Sequence, residues 1–385
     1  MSKGIVNANL KCVCISCFNY YDTRMHAVID YFSNKGMDVT YITSDFSHFE
    51  KKRFSVEYPK TIQIHVSEYK ENISIRRIIS HLMFSYKVSR LLKRIGPDLI
   101  YCMFPPNSLV RAVSNYRKLS KCKVIFDGYD LWPAGLVNEK RLKPIMFLLK
   151  AWGGLRDNNI GNCNMIVAVS EGMQDYFRNR FNLPVKLLYP QLIPQFPNYS
   201  YDIDKEISFC YLGNINHIPD LDLISNITKI IRKTKNVSVH VIGEGEYLNE
   251  LLSKLEPNGV KCYTHGVVMD MNEKIKIYEL CHFGINLPNV KSHSTMSLKS
   301  VEYMSVGLPY LNTGGGDNWQ IVERYGCGFN IDRNNVQKTV EQLLSLTSSS
   351  LKTIVNDTRR AYEELFNTKK MDELFSDIFV DDDKK

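Results

Sequence analysis

At 385 residues the chain is too long for one ordinary core, and a prior of about 150 residues per domain predicts two domains. Its 44% hydrophobic and 23% charged residues exclude the disordered, collagenous and coiled-coil classes. The net charge of +8 hides an asymmetry: residues 1–190 carry 28 Lys and Arg against 15 Asp and Glu, a balance of +13, and the remainder stands at −5, so the first half suits an anionic partner such as nucleic acid, anionic lipid or a phosphorylated substrate.

Lys11 to Ser16 is an apolar run that predicts a buried strand, Arg24 to Lys35 repeats apolar residues at helical spacing, and Gly36 ends that helix. Met37 to Thr43 is β-rich, which completes a strand, helix and strand within a βαβ length and predicts a parallel sheet. The alternation continues with strand Ile62 to Val66, helix Ile73 to Ile95, strand Leu99 to Met103, helix Asn107 to Leu119 and strand Lys123 to Phe126. A helix around Pro144 to Trp152, the strand Met165 to Val169 and a helix opened by Ser170 close a doubly wound half over residues 1–190.

Residues 191–205 hold Pro194 and Pro197 without a helical period and read as a linker. From 206 to 365 the alternation restarts: strand Ile207 to Leu212, helix Asp220 to Lys233, strand Ser238 to Ile242, helix Tyr247 to Leu255, strand Val260 to Tyr263 and helix Met271 to Glu279. Strand Phe283 to Leu287, helix Lys299 to Met304, strand Tyr310 to Asn312 and helix Trp319 to Arg324 follow. Val336 to Phe379 reads as helical with an interruption around Ser348 to Ser350, and 366–385 as a last helix and charged tail, which analogy with other two-domain folds of this shape would pack back on the first domain. The expected fold class is α/β, two doubly wound Rossmann-like domains facing each other across a cleft, with ligands beyond the carboxyl ends of the strands.

No apolar run reaches the ~18 residues that span a bilayer, and Met1 to Lys11 lacks the apolar stretch of a signal peptide, so a cytoplasmic protein is expected. The ten cysteines are scattered and read as reduced, mostly buried thiols. No Cys/His pair at zinc spacing accompanies Cys12, Cys14 and Cys17, and Asp202-x-Asp204 and Asp220-x-Asp222 lie in the linker and at a helix start, so no metal site is expected.

Among the strand-to-helix turns, Gly213-Asn214 follows the first strand of the second half, where a glycine lets backbone amides approach a phosphate; the bland alternative is a tight turn. Gly243-Glu244-Gly245-Glu246 is too acidic for that task and reads as a turn plus helix cap. Ser297, Lys299 and Glu302 gather at a helix start, where amides and an ammonium suit a diphosphate and a carboxylate suits a ribose diol; equally, Lys299 and Glu302 form a surface pair. Asp130 at the end of a first-half strand suits a general base or an acceptor ligand, or merely a helix cap, with Asp127 doing likewise.

Lys299-Ser300-Val301-Glu302-Tyr303-Met304-Ser305-Val306-Gly307-Leu308-Pro309 resembles the K-x-x-E-Y-M-A-x-G-x-P signature of GT-B glycosyltransferases of family 4 and of capsule and O-antigen synthesis. Asp22-Thr23-Arg24, Gly36-Met37-Asp38-Val39 and Asp127-Gly128-Tyr129-Asp130-Leu131-Trp132-Pro133 resemble that family's D-x-R, G-x-x-V and D-L-W-P stretches, in the same order. The resemblance implies a metal-independent transferase without cofactor, whose substrates are a nucleotide sugar, UDP favoured, and a lipid-linked or polysaccharide acceptor on a polyprenyl diphosphate carrier. It implies that Lys299 meets the diphosphate, Glu302 the ribose, Gly213 and Asn214 the phosphates, His265 and Gly266 the nucleobase, and Ser294 and Ser297 the rest of the donor. Asp130 with Lys299 would be catalytic, and Arg24, Asp127, Asp130 and Trp132 would receive the acceptor. The chain departs from the family's pattern at Ser294, where an acidic residue is common, at Asn214 to Asn216, which lack the usual cation, and at Tyr129-Asp130, where His-Asp is common. These departures keep in view a non-catalytic partner of an active transferase, and the shared two-domain shape keeps in view a nucleotide-sugar epimerase.

Ile73 to Ile95 carries Arg76, Arg77, Lys87, Arg90, Lys93 and Arg94 with no acid, and Lys140, Arg141, Lys143 and Lys150 repeat the theme. Such a basic amphipathic surface suits an anionic leaflet, hence peripheral attachment to the inner face of the cell membrane, or else an ordinary helix with a solvated basic side. No nucleic-acid-binding motif appears, and no nucleic acid partner is expected.

Overall fold

The computed structural model describes residues 10–19, 22–133, 140–190, 192–289, 296–366 and 370–378. The chain divides into two compact units, Met1–Gln191 with Thr368–Lys385, and Leu192–Asn367.

The first unit runs β1 (Lys11–Ser16), α1 (Asp22–Asn34), β2 (Asp38–Ser44), β3 (Thr61–Ile64), α2 (Ile75–Ile95), β4 (Leu99–Phe104), α3 (Asn107–Arg117), β5 (Lys123–Gly128), α4 (Met146–Asp157), β6 (Met165–Ala168), α5 (Glu171–Arg178) and β7 (Val185–Leu187). Its seven strands pair in parallel in the order β3-β2-β1-β4-β5-β6-β7. The apolar runs in the sequence are continuous because this sheet is buried on both faces. Val13, Ile100 and Phe126 enter one core with Phe84 and Val88 of α2, while Cys12, Tyr101 and Ile125 enter the other with Val28 and Phe32 of α1. Ser74 caps α2 by accepting the Arg77 amide, and Ser170 caps α5 by accepting that of Met173, as a hydroxyl before an apolar-periodic run predicts.

The second unit runs β8 (Glu206–Leu212), α6 (Leu221–Arg232), β9 (Asn236–Ile242), α7 (Leu248–Leu255), β10 (Lys261–Thr264), α8 (Met271–Tyr278), β11 (Phe283–Asn286), α9 (Leu298–Val306), β12 (Tyr310–Asn312), α10 (Asp317–Tyr325), β13 (Gly328–Asn330), α11 (Val336–Leu344) and α12 (Ser348–Leu365). Its six strands are parallel in the order β10-β9-β8-β11-β12-β13. In both sheets the order reverses beside the first strand, which is where open parallel sheets receive ligands.

The carboxyl-terminal helix α13 (Lys370–Phe375) belongs to the first unit. Phe375 sits 5.3 Å from Phe32 and 5.9 Å from Tyr101, ring centroid to centroid, and Lys35 pairs with Asp372 at 2.6 Å.

Two expectations change. The interruption in the last helical stretch falls at Ser345 to Thr347, and Ser348 to Ser350 open α12, because Thr347 accepts the Ser350 amide and Ser350 accepts that of Thr347. The turn Gly243 to Glu246 is more than a turn: Gly243 and Gly245 hold positive φ where a Cβ would lie 2.2 Å from the Gly213 oxygen and 2.3 Å from the Ile215 oxygen. All ten cysteines are free, and all but Cys262 are buried.

Candidate functional site

In the second unit, three strand ends and one helix start converge within that unit. Gly213 leaves β8 at φ +104, and Lys299, the second residue of α9, passes so close that its Cε would lie 3.2 Å from a Cβ on Gly213. The Lys299 ammonium donates to the Tyr211 hydroxyl at 2.7 Å and stands 4.1 Å from the ring centroid. Ion pairs among the described residues of this unit employ Lys254, Lys274, Arg333 and Arg360, and none reaches Lys299. Burial without a carboxylate lowers its pKa from the usual 10.5 to about 8.

The glycine loop is held by its own backbone. Gly213 donates its amide to Ile242 at 2.8 Å and Ile215 donates its own to Glu244 at 3.0 Å. The Asn214 amide between them has no acceptor among the described residues, so of the two residues expected to meet phosphates, Asn214 has the unspent donor and Gly213 supplies the space. At the start of α9 the Ser297 side chain makes no capping bond, which leaves the first helical amides uncapped by that hydroxyl. The Ser297 amide donates instead to Asn318 at 3.2 Å, and the Ser300 hydroxyl donates to the same oxygen at 2.5 Å. Ser294 lies outside the described residues.

Glu302 does not pair with Lys299. Its Oε1 accepts from Lys274 at 2.8 Å and from the Tyr278 hydroxyl at 2.7 Å, because α8 packs against that side of α9 while the Lys299 chain extends to β8. Neither Lys274 nor Tyr278 stands out in the sequence. His265 follows β10, and its Nε2 shares a hydrogen bond of 3.1 Å with Nδ1 of His240, their rings 7° from parallel. Burial and the neighbouring His265 push His240 down to about 4, against a weaker upward pull from Glu206. Gly266 holds φ +64, with the Glu244 carboxylate 3.7 Å from where its Cβ would stand.

In the first unit the expected acceptor residues separate into two groups. Arg24 and Asp127 are buried and satisfy each other: Nε and Nη2 each lie 2.7 Å from a carboxylate oxygen, Tyr101 donates to the same carboxylate, and Nη1 donates to the Leu188 and Tyr189 carbonyls at 2.5 and 3.1 Å. Burial works to discharge the guanidinium, and Asp127 with Tyr101 overrules it, so its pKa is raised. This pair ties α1 to β5 and to the chain after β7, and most of its polar groups are spent on the fold, with one Nη2 hydrogen of Arg24 left over. Asp130 and Trp132 stand at the surface beyond β5. Asp130 accepts the Trp132 amide at 3.0 Å, and the protein packed around its open carboxylate raises its pKa, against the pull of that amide and of Arg77 and Arg156. The Arg77 guanidinium lies 4.6 Å from the Trp132 ring centroid.

Asp220 caps α6 and pairs with Arg333, Asp222 pairs with Lys254, and Asp202 accepts the Asp204 amide, so both D-x-D pairs serve local structure. Among the described residues no three His, Cys, Asp or Glu side chains group as metal ligands, and no helix is long and apolar enough to cross a membrane.

Residues 22–190 match the family model Glycosyltransferase Family 4, and residues 206–349 match Glycosyl transferases group 1. Among solved structures, sucrose-phosphate synthase from Thermosynechococcus elongatus superposes with a TM-score of 0.70 at 12% identity, covering 96% of this chain and 99% of that one. Anabaena HepE in complex with UDP gives 0.67 at 10% identity over 96% and 99%. WaaG, a glycosyltransferase involved in lipopolysaccharide biosynthesis, gives 0.65 at 12% identity over 96% and 100%. No curated protein matches by sequence.

Proposed function

The chain belongs to the GT-B glycosyltransferases with a family 4 amino-terminal half, and from that premise we propose that it transfers a sugar from a nucleotide diphosphate sugar to a hydroxyl of a lipid-linked or polysaccharide acceptor in capsule, O-antigen or exopolysaccharide assembly. The observation that carries the reading is the Lys299 ammonium, half-buried, without a carboxylate among the described residues, and set between the Gly213 loop and the start of α9. UDP is the favoured nucleotide because HepE is solved with UDP.

In this reaction the bond from the sugar's anomeric carbon to the diphosphate oxygen breaks and the bond to the acceptor oxygen forms. The diphosphate leaves with the electron pair. Lys299, the Asn214 amide and the first amides of α9 offset its growing charge, a task the reading gives to the protein without calling on a metal ion. The acceptor hydroxyl gives up its proton, and Asp130, whose raised pKa suits a proton carrier, receives it or orients that hydroxyl, with Trp132 as a platform. Glu302, fixed by Lys274 and Tyr278, meets the ribose, and His265 with Gly266 meets the base. Ser294 and Ser297 complete the donor set.

The enzyme so proposed works in the cytoplasm, peripheral on the inner face of the membrane, where a polyprenyl diphosphate acceptor resides. Its support is a surface on which Ile75, Ile79, Leu82 and Tyr86 stand exposed at helical spacing along α2, with Phe147 and Leu148 exposed on α4. A groove lined by Leu82, Tyr86, Lys93, Arg111 and Leu119, and a second lined by Arg111, Lys118 and Lys150, have no acid among their described lining residues. Basic and apolar groups together hold a protein at an anionic leaflet.

The test is a transfer assay with UDP-sugars. Lys299→Ala is expected to lower turnover at least ~10²-fold while the protein melts as before, by analogy with the loss of one preorganised donor to a developing oxyanion. Undiminished transfer would refute the assignment.

A further inference from the structure

We infer that Tyr211 is a positioning residue of the diphosphate site, whose hydroxyl clamps the Lys299 ammonium to the Gly213–Asn214 loop so that the charge and the Asn214 amide converge on one anion. The inference rests on the donor-site reading above and concerns how that site is held rather than what it binds.

The hydrogen-bond roles are fixed by chemistry. An ammonium only donates, so at the 2.7 Å contact the phenol oxygen accepts. The single phenol hydrogen is then spent on the Asn214 carbonyl, 2.9 Å away. Tyr211 is thus the one side chain that touches both Lys299 and the glycine loop through polar atoms among the described residues.

The phenol itself is immobile. Tyr211 lies within β8, pairs in register with Val241 of β9, and is 1% exposed. Lysine, by contrast, reaches the site on four rotatable bonds, and unanchored it would spread over many rotamers. A second polar contact fixes the ammonium where the chain alone would not.

The choice of anchor has an electrostatic consequence. Lys274, in the same unit, is held by the Glu302 carboxylate, which offsets its charge. Tyr211 holds Lys299 without offsetting anything, because burial pushes phenol ionisation further up and keeps the hydroxyl neutral. The other two ammonium hydrogens have no acceptor among the described residues. A neutral anchor therefore orders the cation and leaves its full charge for an incoming anion.

The same bond disciplines the loop. With the Gly213 amide on Ile242, the Ile215 amide on Glu244 and the Asn214 carbonyl on Tyr211, the loop is held on three sides around the Asn214 amide. That arrangement answers the absence of a cation at Asn214 to Asn216: one ordered ammonium and one ordered amide stand where the family's pattern has an extra basic side chain.

The test compares UDP with uridine, which lacks the diphosphate, by calorimetry on the full chain. Wild type is expected to prefer UDP, and Lys299→Ala to lose that preference. Tyr211→Phe removes one oxygen and keeps the ring; it is expected to weaken UDP about tenfold while leaving uridine and the melting temperature unchanged. In the Lys299→Ala background the same change is expected to cost less UDP affinity than in the wild type, because only the phenol's hold on the Asn214 carbonyl is then left to lose. Equal loss for UDP and uridine, or full additivity of the two substitutions, would overturn the positioning role. A wild type that shows no preference for UDP over uridine, or keeps it in Lys299→Ala, would instead overturn the donor-site reading. Should Tyr211→Phe fold poorly, the wild type still decides: a slowly exchanging Tyr211 hydroxyl proton with a nuclear Overhauser contact to the Lys299 ε-methylene is expected, and its absence overturns the clamp.

Discussion

Each unit holds a cation at the carboxyl end of its sheet, Arg24 buried and Lys299 half-buried, and the two are treated in opposite ways. Arg24 in the first unit meets a bidentate carboxylate, a phenol beside it and two carbonyls. Lys299 in the second meets one neutral phenol. The same parallel topology thus closes one charge into the fold and leaves the other unspent. A buried charge neutralised by a carboxylate belongs to the architecture; one held in place but not neutralised is prepared for a ligand.

The sharpest way to break this contrast is to remove each partner in turn. Asp127→Ala strands the Arg24 guanidinium in a site sealed from water, and the expected cost is about 3–5 kcal/mol, read as a lowered urea midpoint of the first unit's transition. Lys299→Ala removes a desolvated charge that no described residue neutralises, and its midpoint should hold or rise. Equal destabilisation by both would erase the distinction.

That distinction could not be read from the sequence, where Arg24, Asp127 and Lys299 all look like charges near strand ends. The Arg24 to Asp127 contact joins residues 103 positions apart, and Lys299 to Tyr211 joins residues 88 apart. No local period carries such pairs. The alternation of strands and helices, by contrast, was legible because a sheet buried on both faces writes itself as short apolar runs. The strands left unread, Val185–Leu187 and Gly328–Asn330, are three residues each and lie at sheet edges, too short for a pattern. The acids beside Gly243 argue against a phosphate cradle in the sequence, although the property that matters there is its missing side chain.

Gly243→Ala sharpens the comparison from the side of the loop. It places a methyl 2.2 Å from the Gly213 oxygen at a φ of +139, so the loop must move. The expected cost is about 1–3 kcal/mol of stability, together with weaker UDP binding and no change at the first unit. A variant that melts and binds UDP like wild type would show that the nested glycines do not shape the site.

The comparison extends to acid. Burial and His265 hold the folded-state pKa of His240 near 4, below its unfolded value near 6.5. Between those values the unfolded chain binds the proton and the folded one resists it, so this contribution to stability is complete above pH 6.5 and is lost as pH falls toward 4. Its upper bound is on the order of 3 kcal/mol. His240→Asn should flatten the acid limb of the second unit's melting curve; an unchanged limb would mean that the imidazole opens to water before it titrates.

The smallest effect concerns the surface of the first unit. Lys93 and Lys150 line grooves beside exposed apolar side chains, and each cation near an anionic leaflet contributes about 1 kcal/mol. Lys93→Gln should therefore weaken sedimentation with phosphatidylglycerol-containing vesicles about fivefold, with Lys93→Gln and Lys150→Gln together weakening it more, while UDP binding in the second unit stays at the wild-type value. Raising salt should shrink the difference, because exposed charges are screened beyond ~10 Å at 0.1 M ionic strength. If the double variant sediments like wild type at low salt, the basic face is solvated rather than docked, and the charge asymmetry of the two halves serves the soluble substrate alone.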